Sequence, residues 1–183
     1  MTAMPGMNFE HLFTEMDPED LHDNIFKLVG KDFFVVTAGT KEHYNSMTAS
    51  GGGLVLLFRR PATLCILRED RYTLELMKEE QVYTISYFPD DYKKQVLFLG
   101  SASGRASNKM EVVDLSPIQT PSGTPTYAEA RLVFECSLMA LTTPQTDDFV
   151  TPETRELTEK GFQEAGLYRK YVFGEITHLW AKQ

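Results

Sequence analysis

Three short stretches of this chain gather residue types that can hold an anion or a flat ring. The first is Asn45-Ser46-Met47-Thr48-Ala49-Ser50-Gly51-Gly52-Gly53, with three hydroxyls, one amide and three glycines. Small hydroxylated residues and glycines let backbone N–H groups approach a ligand closely. The same composition also suits a flexible turn that ends a strand. The second is Arg68-Glu69-Asp70-Arg71-Tyr72-Thr73, between a strand-like run and a helix start. Two guanidinium groups and a helix N-terminus can seat a phosphate. Equally, Arg68 and Arg71 can pair with Glu69 or Asp70 in a solvated turn, the ordinary fate of surface charges. The third is Gly100-Ser101-Ala102-Ser103-Gly104-Arg105, followed by Asn108-Lys109-Met110. It offers hydroxyl, backbone and cationic donors together, in an otherwise acidic chain.

None of these stretches is a protein-side catalytic set. His11, His22 and His43 lack acidic partners at metal-ligand spacing, and Asp147-Asp148 lacks companion carboxylates, so no metal site is expected. His178 sits between Thr177 and Leu179-Trp180 in a strand-like run and reads first as a structural histidine. Cys65 and Cys136 lie in apolar runs without CxxC spacing. They are expected to be buried, inert thiols, which suits a reducing cytoplasm.

The elements that would carry these stretches can be read from periodicity. A helix is expected over about 18–30, with Asp17 as cap, Pro18 in the first turn and Gly30 as stop. Strands are expected at Phe33–Thr37, Ala62–Leu67, Val82–Phe88, Ala130–Leu141 and Tyr171–Trp180, where β-branched and aromatic residues cluster. Helices are expected at about 73–80, 90–99 and 152–165, and an extended connection at 101–126. No regular strand–helix alternation runs through the C-terminal half. That favours a mainly β fold, a β-barrel with attached helices, over a doubly wound parallel sheet. A length of 183 residues fits a single domain, 1–183. The net charge of −8 disfavours nucleic acid as a partner. No apolar run is long enough to span a bilayer, and the N-terminus does not read as a signal peptide, so no membrane association is expected.

Taken in order, "NSMTAS", then "RYT" with an upstream arginine, then "GSASGR…NK" resemble the FMN-binding signature of the flavin reductase-like split-barrel family, flavoredoxin-type members included. The closing "YVFGEITHLW" resembles the family's last strand. The resemblance spans roughly residues 30 to 183. It implies a Greek-key antiparallel split barrel that binds FMN non-covalently near a homodimer boundary. By position, Asn45, Met47, Thr48, Ala49 and Ser50 would line the ring and ribityl chain. Arg68, Arg71 and Thr73 would stand near the cofactor or structure its seat. Ser101, Ser103, Gly104, Arg105 and Lys109 match the third motif, with the cations toward the phosphate. His178 is a weak candidate for a place near the nicotinamide. Gly51 stands where family members often carry an aromatic residue, Asn108 replaces the common acid, and 144–168 matches no motif.

The resemblance implies an oxidoreductase, either an NAD(P)H-dependent flavin reductase or a flavoredoxin-type carrier with a redox partner protein. No catalytic side chain is required, because a flavin performs hydride and electron transfer itself. The alternatives are a flavin-binding or storage module without turnover, and an unrelated barrel that binds another phosphorylated ligand.

Overall fold

Strand β2 (Phe34–Gly39) is buried at every residue, on both faces at once. Phe34, Val36 and Ala38 join one apolar cluster while Val35 joins another. A strand covered on both sides must lie between two layers, and the rest of the fold supplies them. The computed structural model describes residues 8–101 and 109–183.

The other long strands are β3 (Tyr44–Ala49), β4 (Gly52–Leu57), β5 (Arg60–Arg68), β6 (Val82–Tyr87), β9 (Leu132–Thr142) and β10 (Arg169–Lys182). They pair antiparallel in the order β3-β2-β6-β9-β10-β5-β4, and β1 (Phe13–Glu15) adds to β10. Helix α3 (Tyr72–Glu80) carries the chain from β5 across to β6, which pairs with β2 and not with β5. The two ends of this path, β3 and β4, are separated in sequence by only Ser50 and Gly51. Gly51 already accepts a hydrogen bond from Ile66 of β5 at 2.9 Å. The sheet therefore curls until its ends meet, joined by chain and not by a ladder. The result is a mainly antiparallel split barrel.

The barrel interior is filled. Phe34, Met47, Cys65, Tyr83, Ile85 and Phe134 interdigitate there, with Leu74 and Met77 of α3 closing one end. A void of about 10 Å³ between Phe34, Leu54, Thr63, Tyr87 and Phe134 is the size of one water. That void is far too small for a flavin. The outer face of β2, β9 and β10 is covered by α1 (Phe9–Leu12), α4 (Lys93–Ser101) and the hairpin of β7 (Pro117–Gln119) with β8 (Pro125–Tyr127). Each large side chain buried in these layers contributes about 1.5–3 kcal/mol.

A bulge in β10 decides which way its last third faces. Ile176 pairs with Cys136 and His178 with Glu135, so Thr177 is extra. The extra residue reverses the alternation: Ile176 and Leu179 both point inward, and His178 and Trp180 share the outer face.

The helix expected over 18–30 is not continuous. Pro18–Asp20 forms a 3-10 turn capped by Asp17, Leu21 is extended, and α2 (Ile25–Lys27) starts afresh from Asn24 and passes into a π turn, Leu28–Asp32. Asp17 accepts from the Glu19 N–H and Asn24 from the Lys27 N–H, so two caps compete within one helical pattern and split it. The expected connection at 101–126 holds α5 (Lys109–Val112) and the β7–β8 hairpin. The helices at Tyr72–Glu80 and α6 (Pro152–Ala165) lie where their spacing places them. Cys65 and Cys136 are free and buried. Among the described residues no helix is long and apolar enough to cross a membrane.

Candidate functional site

The first stretch is not a loose turn. Asn45 to Ala49 lie within β3, and Gly52 and Gly53 open β4. Alternation along β3 sends Met47 and Ala49 into the barrel core and leaves Ser46 and Thr48 on the outer face. What Met47 and Ala49 can offer a ligand is thus backbone alone, whereas Ser50 is exposed and Thr48 half-buried. Gly52 needs its freedom: at φ 135° a Cβ would stand 1.8 Å from the Leu64 carbonyl oxygen. A side chain there would break the first pair of the β4–β5 ladder.

Three links tie the stretches together. The buried Asn45 amide donates to the Thr73 hydroxyl at 2.7 Å, fastening β3 to the first turn of α3. The Thr48 hydroxyl donates to the Val96 carbonyl of α4, and a Cβ on Gly100 would lie 3.1 Å from the Thr48 Cβ. The last turn of α4 thereby sits on β3 and leads into the third stretch. Arg71, at the N-cap of α3, is close enough to Lys109 for its charge to act on the lysine.

Lys109 is 3 % exposed and donates to the Leu99 carbonyl at 2.8 Å. Burial, and then the Arg71 guanidinium, lower its pKa to about 8. Arg71 Nε is itself buried without a hydrogen-bond partner. Two cations near enough to act on each other, one with an orphaned donor, suit an anion. The phosphate of FMN has that chemistry, so the residues present fit the cofactor that the sequence resemblance implies.

Arg68 is committed elsewhere. Its guanidinium makes a two-pronged bond to Asp70, at 3.0 and 2.6 Å, and holds that carboxyl below the usual range. Its role is to shape the 68–71 turn. Thr73 is fully buried as the Asn45 acceptor, and Ser101 is exposed and donates to the Phe98 carbonyl at 3.0 Å. Ser103, Gly104 and Arg105 lie outside the described residues, as does Asn108. His178 bonds Glu15 at 2.7 Å and stacks on Trp180, with ring centroids 5.2 Å apart. Among the described residues no group of three or more His, Cys, Asp or Glu side chains is arranged to hold a metal.

Two supports of the site carry no sequence signal. His43 reaches from the β2–β3 turn to the Tyr72 hydroxyl, and the rings meet edge to face. Tyr127 of β8 bonds Ser46 at 2.7 Å, and Ser46 bonds Thr37 at 2.8 Å, behind the motif strand. Burial pushes the Tyr127 hydroxyl well up, so it stays protonated and can donate. Both partnerships bridge long sequence separations, and only the fold brings them together.

The model of the flavin reductase like domain matches residues 27–181. No curated protein matches the chain. Solved structures do. A flavoredoxin from Methanosarcina acetivorans superposes with a TM-score of 0.62 at 16% identity, over 83% of this chain and 69% of that one. An FMN-binding domain of a flavin reductases-like enzyme from Shewanella baltica gives 0.66 at 14%, over 92% and 76%. An NADH:FAD oxidoreductase from Streptomyces globisporus, in complex with NAD and FAD fragments, gives 0.59 at 15%, over 83% and 78%. These likenesses are likenesses of fold.

Proposed function

This chain belongs to the flavin reductase-like domain family, and from that premise we propose that it is an FMN-binding oxidoreductase supplied with electrons by NADH or NADPH. One observation carries the reading. The three motif stretches converge through the Asn45–Thr73 bond, the Thr48–Val96 bond and the Arg71–Lys109 pair, outside a filled barrel. Non-covalent FMN supplies the hydride and electron-transfer chemistry when bound.

The residues of the chain bind and orient. Arg71 and Lys109 face the phosphate, and the resemblance assigns Ser103, Gly104 and Arg105, outside the described residues, to the same group. Thr48, Ser50 and the backbone of Asn45–Gly51 border the ring, and Asn45 and Thr73 hold that backbone against α3. A cationic seat holds the anionic tail of the cofactor, so the ring is left to the small residues of β3. Two free, buried thiols suit a reducing compartment, and the cytoplasm is the place of action in this reading.

The test is an absorption spectrum of purified protein after FMN addition and desalting. A retained flavin band that NADH or NADPH bleaches supports the oxidoreductase. A retained band that neither nicotinamide bleaches reassigns the chain to flavin carriage or storage. No retained band and no change on titration rejects the site.

A further inference from the structure

The barrel end opposite α3 is closed by a segment with no strand ladder of its own among the described residues. α3 enters β6 at its first residue, whereas residues 17–33 lead into β2, whose start lies beside the end of β6. Leu21, Ile25 and Val29 rest partly buried on the inner core, and Leu28 is buried there. This strap passes from a 3-10 turn through a short α turn into a π turn. Such irregular ladders mark hinges and functional segments. The strap ends at Phe33, where φ 62° and ψ 166° describe a backbone that glycine alone adopts freely. A phenylalanine keeps that backbone only while its surroundings impose it.

Charge holds the strap down. Arg131, whose backbone N–H donates to the Tyr87 carbonyl at 2.7 Å, sends its guanidinium to Asp23 at 2.8 Å and toward Asp32 at 3.7 Å. Lys27 adds a 3.0 Å contact to Asp32. Both carboxylates belong to the strap, so one arginine clasps it on either side of α2. Under this clasp lies the void of about 10 Å³, with Val29 of the strap as one wall. Phe34, Leu54 and Phe134 make it largely apolar, and Tyr87 lines it as well. Among the described residues the Tyr87 hydroxyl has no hydrogen-bond partner, and burial keeps it protonated. Arg131 and Asp23 are near enough to act on that hydroxyl, so clasp and void are neighbours.

We propose that residues 17–33 are a lid, hinged at Phe33 and latched by Arg131, over an internal site for a small uncharged molecule. That molecule is largely apolar and carries one acceptor oxygen, the complement of apolar walls with a spare donor at Tyr87. The strained backbone at Phe33 favours opening, and the ion pairs of Arg131 oppose it. Lifting Val29 turns the void into a pocket, while Phe34, Leu54 and Phe134 stay fixed in their strands. Arg71 caps α3 at the other end of the barrel, so this site is separate from the flavin seat and does not depend on it.

Two measurements on the full-length chain decide this, each made with and without FMN. In amide exchange, residues 25–32 should open at least tenfold more often than β6 and β9. Arg131→Gln, or Asp23→Asn if that variant does not fold, should speed strap exchange at least tenfold further and leave β6 and β9 unchanged. Acetophenone, an apolar probe with one acceptor oxygen, should shift the NMR signals of Val29, Leu54 and Tyr87. Tyr87→Phe should weaken its binding at least fivefold, Arg131→Gln should speed its entry, and FMN should change neither. Strap exchange no faster than that of the strands, or indifferent to loss of the ion pairs, overturns the lid. Acetophenone that leaves Val29 and Tyr87 unshifted, or that FMN displaces, overturns the internal site.

Discussion

The Asn45 side-chain amide and the Thr73 hydroxyl, 28 residues apart in sequence, meet at 2.7 Å in a place where both are buried. This bond sets the distance between the motif strand and the helix whose N-cap is Arg71.

Asn45→Ala should cost about 1–3 kcal/mol, because it leaves the Thr73 oxygen buried without its donor. Chemical denaturation reads that loss. FMN affinity should fall at least tenfold in the same variant. Lost stability with unchanged affinity would mean that the bond holds the fold and not the cofactor seat.

Lys109 predicts a pH dependence with a definite sign. In the free protein its pKa is about 8, and a bound phosphate beside it would raise that value. FMN affinity should therefore be full below pH 8 and fall severalfold between pH 8 and 9. Lys109→Met should flatten the curve, and riboflavin, which has no phosphate, should show none of it. Folding stability runs the other way. The folded pKa lies below the ordinary 10.5, so the unfolded chain binds more protons between pH 8 and 10.5, and stability without ligand should rise across that window.

At Gly174 the backbone of β10 lies against a core side chain. A Cβ there would stand 2.1 Å from the Tyr83 hydroxyl oxygen. Gly174→Ala should destabilise by about 1–3 kcal/mol through overpacking. Adding Tyr83→Phe should return part of it, though the ring carbon 2.8 Å away remains in conflict. Thermal melts of the two single variants and the double variant test the coupling.

His178 is paired to Glu15 at the surface, where side-chain exposures of 42% and 60% keep such a bond within about 0–1 kcal/mol. His178→Gln should leave flavin affinity unchanged and change NADH-dependent turnover less than threefold. A tenfold loss in kcat with unchanged melting temperature would instead place this ring at the nicotinamide.

Much of the frame was legible because its signals are local. The helix at Pro152–Ala165 has a Thr151 cap, a proline in its first turn and Gly166 at φ 70° after its end. β5, β6, β9 and β10 are runs of β-branched and aromatic residues. β4 was hidden because it opens on Gly52 and Gly53, directly after Gly51. The β7–β8 hairpin was hidden because its strands have three residues each. In the site, motif order indicated which stretches meet. The pairing of Arg68 with Asp70 is one of the readings the sequence offers. That Arg71 and not Arg68 acts on Lys109 depends on the path of the 68–71 turn, which no spacing reveals.

The join at Ser50–Gly51 has a dynamic consequence. No ladder pairs β3 with β4 among the described residues, so the barrel can breathe at that seam without breaking inter-strand hydrogen bonds. Amide exchange along β3 should therefore be faster on the edge facing the seam than on the edge bonded to β2. The most yielding line in the barrel then runs beside Thr48 and Ser50, and a flat ligand settling there would act as its clasp.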